Sequence, residues 1–303
     1  GGSSLSAMRV IGELRARSYE IGMQSLLMDA TVTAVAERIS SGRSDTEELA
    51  VLLPLQQSGQ GAPVFCIHPI LGLSWCYTGL GTYLDNPLYG LQTPAPEELP
   101  RTLVQLAARY LEQIIRVAPE GPVHLLGWSL GGVIAHEMAR QLVASGRTVA
   151  SLILLDAHHG DHGAWADALP VTDLMSGLGL DLAVPDGQVV SLDTAGELLD
   201  AVDTGGILDR TDIERLIGAA QHNHQLLQQH RPGVYPGDVL YVDAGLERRH
   251  GVGQWYPHIA GNVTVISARA THWQMCAPAT LAAIGPRIAH ELRSTEKREP
   301  KNR

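Results

Sequence analysis

The chain has 303 residues, a formal net charge of −10, 45% hydrophobic residues and three cysteines. Its acidic balance, without a basic stripe, argues against a nucleic-acid-binding surface, and no run approaches the eighteen or more consecutive apolar residues of a membrane span. The length suits about two domains with a full core in the larger, and Cys66, Cys76 and Cys276 lack metal-type spacing, as expected of a reducing, cytoplasmic compartment.

The sequence opens on Gly1-Gly2-Ser3-Ser4, after which residues 5–11 continue with amphipathic helical spacing. Thr31 precedes a second predicted helix over 32–39 and can cap it. Residues 41–49 are small and polar, the composition of a linker. Beyond them, strands are predicted around Leu53-Pro54-Leu55 and at 63–67, a helix near 73–84, a strand near 87–92, a helix near 101–117, and a strand at 123–126. A helix after Ser129 carries Val133, Ile134, Met138, Leu142 and Val143 and stops at Gly146, and a buried strand follows at 151–155. This alternation implies an α/β fold with a parallel sheet covered on both faces.

Between Gly160 and Pro232, two or more amphipathic stretches replace the single crossover expected there, broken by Gly177-Leu178-Gly179, Pro185-Asp186-Gly187 and Gly205-Gly206. We expect this insertion, about 160–232, to be a helical lid. Strands resume at 239–242 and 263–266, and the charged tail 294–303 is expected to be disordered.

The chemistry centres on Gly127-Trp128-Ser129-Leu130-Gly131, placed between a strand and a helix. Such a turn exposes a serine hydroxyl above the sheet, and the flanking glycines remove side chains that would clash. Ser129 is the candidate nucleophile. A serine needs a base and a group to orient that base, and the chain supplies Asp156 at the end of one strand and His272 in the loop after another, in the order Ser, Asp, His of α/β-hydrolases. Asp243, at the end of the next strand, is a rival acid that spacing alone does not eliminate. The Leu130 amide is one candidate oxyanion donor, and Ile70, in the Pro-Gly turn His68-Pro69-Ile70-Leu71-Gly72, is the other. His158, His159 and His162 cluster around Asp161 without the spacing of a metal site and read as a solvated loop. His222, His224 and His230, on a predicted helix among glutamines, read as surface residues. No metal is expected.

Taken together, Leu53-Pro54-Leu55, His68-Pro69, the serine elbow with Gly132, Leu155-Asp156 and Thr271-His272 resemble the C-terminal thioesterase domains of nonribosomal peptide synthetases, over about residues 50–293. The resemblance favours Asp156 over Asp243. The opening Gly1-Gly2-Ser3-Ser4 is similar to the peptidyl carrier motif, which implies that Ser4 bears 4'-phosphopantetheine and that residues 1–40 are the C-terminal part of a carrier domain; the family usually has Asp or His where this chain has Ser3. The implied activity is release of a peptidyl or acyl chain from the pantetheine arm by hydrolysis or macrocyclisation, with upstream synthetase modules as partners and neither nucleic acid nor membrane. Since the sequence begins on the motif without Met, the chain reads as the end of a longer synthetase. A freestanding serine esterase or lipase would share the elbow but not the carrier-like start. A silent binding domain of the same fold would not need all three triad members.

Overall fold

The computed structural model describes residues 51–159, 210–246 and 251–297, the helical segment 31–41, the short pieces 169–170 and 189–190, and a few positions before residue 20. Ser4, most of the first predicted helix, the linker 42–49 and most of the 160–209 stretch lie outside the described residues. The described part of the N-terminal region is α1 (Val32–Ser41), and Thr31 caps it as expected, its Oγ1 accepting from the Ala34 amide at 3.2 Å.

A seven-stranded sheet runs through the rest of the chain. Its strands are β1 (Leu52–Gln56), β2 (Val64–Ile67), β3 (Leu88–Leu91), β4 (Val123–Trp128), β5 (Val149–Leu155), β6 (Val239–Ala244) and β7 (Val263–Ala268), in the spatial order β1-β3-β2-β4-β5-β6-β7. Every pairing is parallel except β1 with β3, so the expected parallel sheet carries one antiparallel edge. Pro54, which cannot donate to a ladder, sits in that edge strand beside a break in register.

The central strands are apolar on both faces because both are covered. On one face Phe65, Ile67, Leu125, Leu152, Leu154 and Tyr241 pack with α2 (Leu103–Val117) and α3 (Leu130–Ala144). On the other, Val64, Cys66, Leu126, Ile153, Leu155 and Val242 pack with α5 (Pro278–Glu296). The alternation along each strand is the two-residue period of the pleat. Helix α2 buries Leu103, Leu106, Ala107, Tyr110 and Ile114, one stripe at helical spacing, and the Thr102 side chain caps it. This is the α/β-hydrolase architecture.

Two expectations are corrected here. The stretch near 73–84 is a tight 3-10 segment, Trp75–Thr82, rather than a regular helix; Gly79 and Gly81 weaken helical propensity there. Residues 294–296, expected in the tail, belong to α5, which runs through Glu296, whose carboxylate accepts from the Ala62 amide at 3.0 Å and Asn86 Nδ2 at 2.9 Å. The described part of the 160–232 stretch includes one long helix, α4 (Arg210–Gln229), and a two-residue antiparallel pairing of Leu169–Pro170 with Val189–Val190. Among the described residues no helix is long and apolar enough to cross a membrane.

Candidate active site

Ligand sites in open α/β sheets lie beyond the carboxyl ends of the strands, and the three candidate residues follow β4, β5 and β7 there. Ser129 joins β4 to α3 with φ 57° and ψ −125°, a conformation that L-residues rarely adopt. What forces it is crowding. A Cβ on Gly131 would stand 2.2 Å from the Ile67 carbonyl oxygen, and one on Gly127 would stand 2.1 Å from the backbone of Gly131. The glycines therefore let the elbow press against the end of β2, which brings the His68–Gly72 loop beside Ser129.

Asp156 follows β5 with φ 41°. Its amide donates to the Val242 carbonyl at 2.7 Å, and its Oδ1 accepts from the Ala244 amide at 3.1 Å, so β6 holds both the backbone and the carboxyl of this residue. Its Oδ2 lies 2.6 Å from His272 Nδ1, while His272 Nε2 lies 2.9 Å from Ser129 Oγ. The geometry links the three in a single relay, and Asp156, not Asp243, is the acid His272 meets. Asp156 and His272 are both buried, whereas Ser129 is partly open. Burial pushes the Asp156 carboxyl up, but His158 and His272 outweigh it and hold the group well below the usual carboxylate range. Asp243 is displaced the other way, raised by its partial burial and then by Asp156.

His272 sits in a short 3-10 turn capped by Thr271 and Gln274, walled by Trp128 and Trp273 at ring separations of 5.7 Å and 5.4 Å. Those rings lower the local dielectric around the relay. The Leu130 amide opens α3 directly behind Ser129, and Ile70 lies in the loop after β2.

Several residues to which the sequence assigned no role of their own support the site. Tyr77 Oη donates to the Ile67 carbonyl at 2.7 Å and accepts from the Trp128 amide at 2.8 Å, tying β2 to the elbow. His68 anchors the Ile70 loop: Nδ1 donates to the Pro69 carbonyl at 2.7 Å and Nε2 meets Tyr110 Oη at 2.6 Å. Burial drives His68 down to about 4, leaving it neutral. Asn223 of α4 donates to the Ile70 carbonyl and to Thr93 Oγ1, both at 3.0 Å. One sequence signal for Asn223 exists, since it shares a helical face with the buried Ala220, Leu227 and His230.

Two readings of the histidines are corrected. His230 is buried, at 7% exposure, because it lies on that inward face of α4, while His222 and His224 are partly buried. His158 is also buried at 7%, against Asp156 rather than in solvent, and His159 is partly buried, its Nε2 donating to the Gln254 carbonyl at 3.0 Å. Asp161 and His162 lie outside the described residues. Ligand atoms of Asp156, His158 and His272 lie within 4.8 Å of one another. The 2.6 Å contact between Asp156 and His272 is nonetheless a proton's width, whereas two ligands each about 2 Å from a zinc ion stand roughly 3 Å apart.

Beside the Ile70 loop a cavity of about 200 Å³ has Leu71, Leu73, Thr93, Arg215, Leu216 and Ala219 among its lining residues. The walls come from the loops after β2 and β3 and from α4.

Residues 62–180 match the family model described as Thioesterase domain. The chain is 36% identical over 318 aligned positions to a dimodular nonribosomal peptide synthase of Bacillus subtilis (strain 168), covering 98% of this chain and 13% of that protein. It is 33% identical over 175 positions to enterobactin synthase component F of Escherichia coli (strain K12), covering 55% of this chain and 14% of that one. The chain thus spans only a small part of the length of these relatives. Among solved structures, the NocB thioesterase domain, captured in covalent complex with a fluorophosphonate nocardicin G analog, superposes with a TM-score of 0.59 at 25% identity over 81% of this chain and 99% of that one. The holo-AB3403 four-domain nonribosomal peptide synthetase shares the fold, with a TM-score of 0.68 at 22% identity over 93% of this chain and 23% of that one.

Proposed function

We propose that this chain, whose hydrolase domain belongs to the thioesterase family of nonribosomal peptide synthetases, releases a peptidyl or acyl chain from a carrier-bound thioester through a Ser129 ester. The observation that carries this reading is the relay Ser129 Oγ, His272 Nε2, His272 Nδ1, Asp156 Oδ2, with heavy-atom contacts of 2.9 Å and 2.6 Å. As Ser129 Oγ attacks the thioester carbonyl, its proton passes to His272 Nε2. Asp156 keeps the Nδ1 proton in place and stabilises the imidazolium. The Leu130 and Ile70 amides would hold the oxyanion, Leu130 as the residue after the nucleophile and Ile70 on the loop that His68 and Asn223 brace. The thiol departs with a proton from His272, leaving the chain on Ser129. Water then gives a free acid, while an amine or hydroxyl of the bound chain gives a ring.

The delivery side is part of the same proposal. Residues 1–40 are read as the end of a peptidyl carrier domain joined by the linker 41–49, and Ser4 as the bearer of the 4'-phosphopantetheine arm. The capped helix α1 supports a helical carrier remnant, and the Ser4 assignment rests on the motif. The arm's thiol would present the chain, and upstream modules would supply it. Residues 160–232 are proposed as the lid over the acyl-enzyme. Three free cysteines suit a cytoplasmic setting.

The test is intact-mass analysis after presenting a peptidyl N-acetylcysteamine thioester. An acyl adduct that maps to Ser129 and decays to acid or cyclic product is the expected outcome. Rapid turnover of short carboxylic esters with thioesters ignored would instead mark a general esterase.

A further inference from the structure

The relay leaves one buried ionisable ring without a task. His158 is 7% exposed, and neither of its ring nitrogens makes a well-aligned hydrogen bond. Leaving buried donors unpaired is costly, so what the ring faces matters. Its Nε2 stands 3.3 Å from Asp156 Oδ2, the same oxygen that accepts the His272 Nδ1 proton. Its ring centroid lies 5.7 Å from that of His272, with the planes tilted by 32°.

This placement is built into the fold. The Ala157 carbonyl, between Asp156 and His158, accepts from Trp255 Nε1 at 2.8 Å and from Tyr241 Oη at 3.2 Å. On the other side, His159 is pinned to Gln254. The segment 156–159 is therefore held on both sides of His158, which keeps the ring buried beside the acid.

We propose that His158 is a positioning residue for the acid: it holds the Asp156 carboxylate in its rotamer and shares its negative charge, so that His272 is not the only group Asp156 stabilises. The proposal rests on the reading of Ser129, His272 and Asp156 as the catalytic relay. A carboxylate that serves two imidazoles stabilises a cation on either of them less than a dedicated partner would. His272 has to take up a proton from Ser129 and give it to the leaving thiol in the same cycle. If Asp156 held the imidazolium too strongly, His272 would stay protonated at neutral pH and could not act as base.

The sign of the effect follows from the charges around the ring. Those charges are Asp156 from β5, Asp243 from the end of β6, His272 from the loop after β7, and His159 next along the chain. Removing His158 takes the polar ring from beside Asp156 Oδ2. The change leaves Asp156 freer to stabilise the His272 cation, so the acid limb of the activity profile moves to higher pH.

The experiment measures kcat/KM against pH for the parent chain, His158→Ala and His158→Gln with an N-acetylcysteamine thioester, alongside fluorophosphonate labelling of Ser129. His158→Ala should move the acid limb up by about one pH unit, a roughly tenfold loss on that side, with KM near the parent value. His158→Gln keeps an amide donor but no titratable charge and should move the limb less. A residue that only fills space would lower activity at every pH without moving the limb. Superimposable limbs in a parent and variants that all label Ser129 overturn the proposal. Failure of the parent to label overturns the underlying relay, and the proposal with it. Should His158→Ala fail to fold, His158→Gln and His158→Asn are judged by the same displacement.

Discussion

Replacing Asp156 by Asn tests the relay most sharply, because the structure dictates what the amide does. Asp156 accepts on both oxygens, from the Ala244 amide at 3.1 Å and from His272 Nδ1 at 2.6 Å. An Asn has one acceptor and one donor. If its oxygen serves Ala244, its NH2 faces His272 and forces Nδ1 to be the acceptor, which places the ring proton on Nε2, where it cannot take the proton of Ser129. The flipped amide would set NH2 against the Ala244 N–H, leaving buried donors unpaired at about 1–3 kcal/mol. The first orientation wins, and with it the wrong tautomer. The expected fall in kcat is on the order of 10⁴-fold, as for the same change in serine proteases, equivalent to about 5.4 kcal/mol in the barrier. The assay is single-turnover acylation from a peptidyl thioester, followed by mass, with Asp243→Asn as the comparison. Asp243 is not the carboxylate that meets His272 Nδ1 and should lose no more than about threefold, the scale of a change of up to about 0.5 kcal/mol. An Asp156→Asn enzyme within tenfold of the parent, or a larger loss from Asp243→Asn, would refute the reasoning.

Ser129→Ala should lower turnover more than about a thousandfold without loss of fold, and Ser129→Gly should be equally inactive yet more stable by roughly 1 kcal/mol, because φ 57° costs glycine little; a Ser129→Gly domain that melts below the parent counts against strain at the elbow. Gly131→Ala should destabilise by at least the upper end of about 1–3 kcal/mol, since its Cβ would meet the Ile67 carbonyl at 2.2 Å; denaturant midpoints decide this, and parent-like stability would contradict the close approach. His68 and His136 are both driven down to about 4, burial being the main cause. Their unfolded value is near 6.5, so the unfolded chain binds more protons between these values. The stability they contribute is complete above about 6.5 and falls by up to roughly 3 kcal/mol each as the pH drops to 4. Unfolding free energies measured over that range should show the decline and a shallower slope in His136→Gln; a flat parent curve would be incompatible with buried neutral rings.

The sequence alone determined the parts that depend on neighbours along the chain. The glycines around Ser129 mark a strand-to-helix turn because only small residues fit one, and the hydrophobic period of the helix after it follows from how a helix must face a sheet. The order Ser129, Asp156, His272 was legible for the same reason: each stands at the end of a recognisable strand or in the loop just beyond one. Contacts between distant segments were not legible, because they depend on how the strands are ordered in the sheet. Pairing of β5 with β6 lets the Val242 carbonyl and the Ala244 amide grip Asp156, and it is this grip that separates Asp156 from Asp243. Docking of α4 on the Ile70 loop turned Asn223 inward, and the same face buries His230, whose place among glutamines had suggested a surface. His158 was displaced from solvent to the acid's side by Trp255 and Tyr241, which reach Ala157 from 98 and 84 residues away in sequence. Local propensity has no access to such distances; only closure of the sheet brings those side chains to one carbonyl.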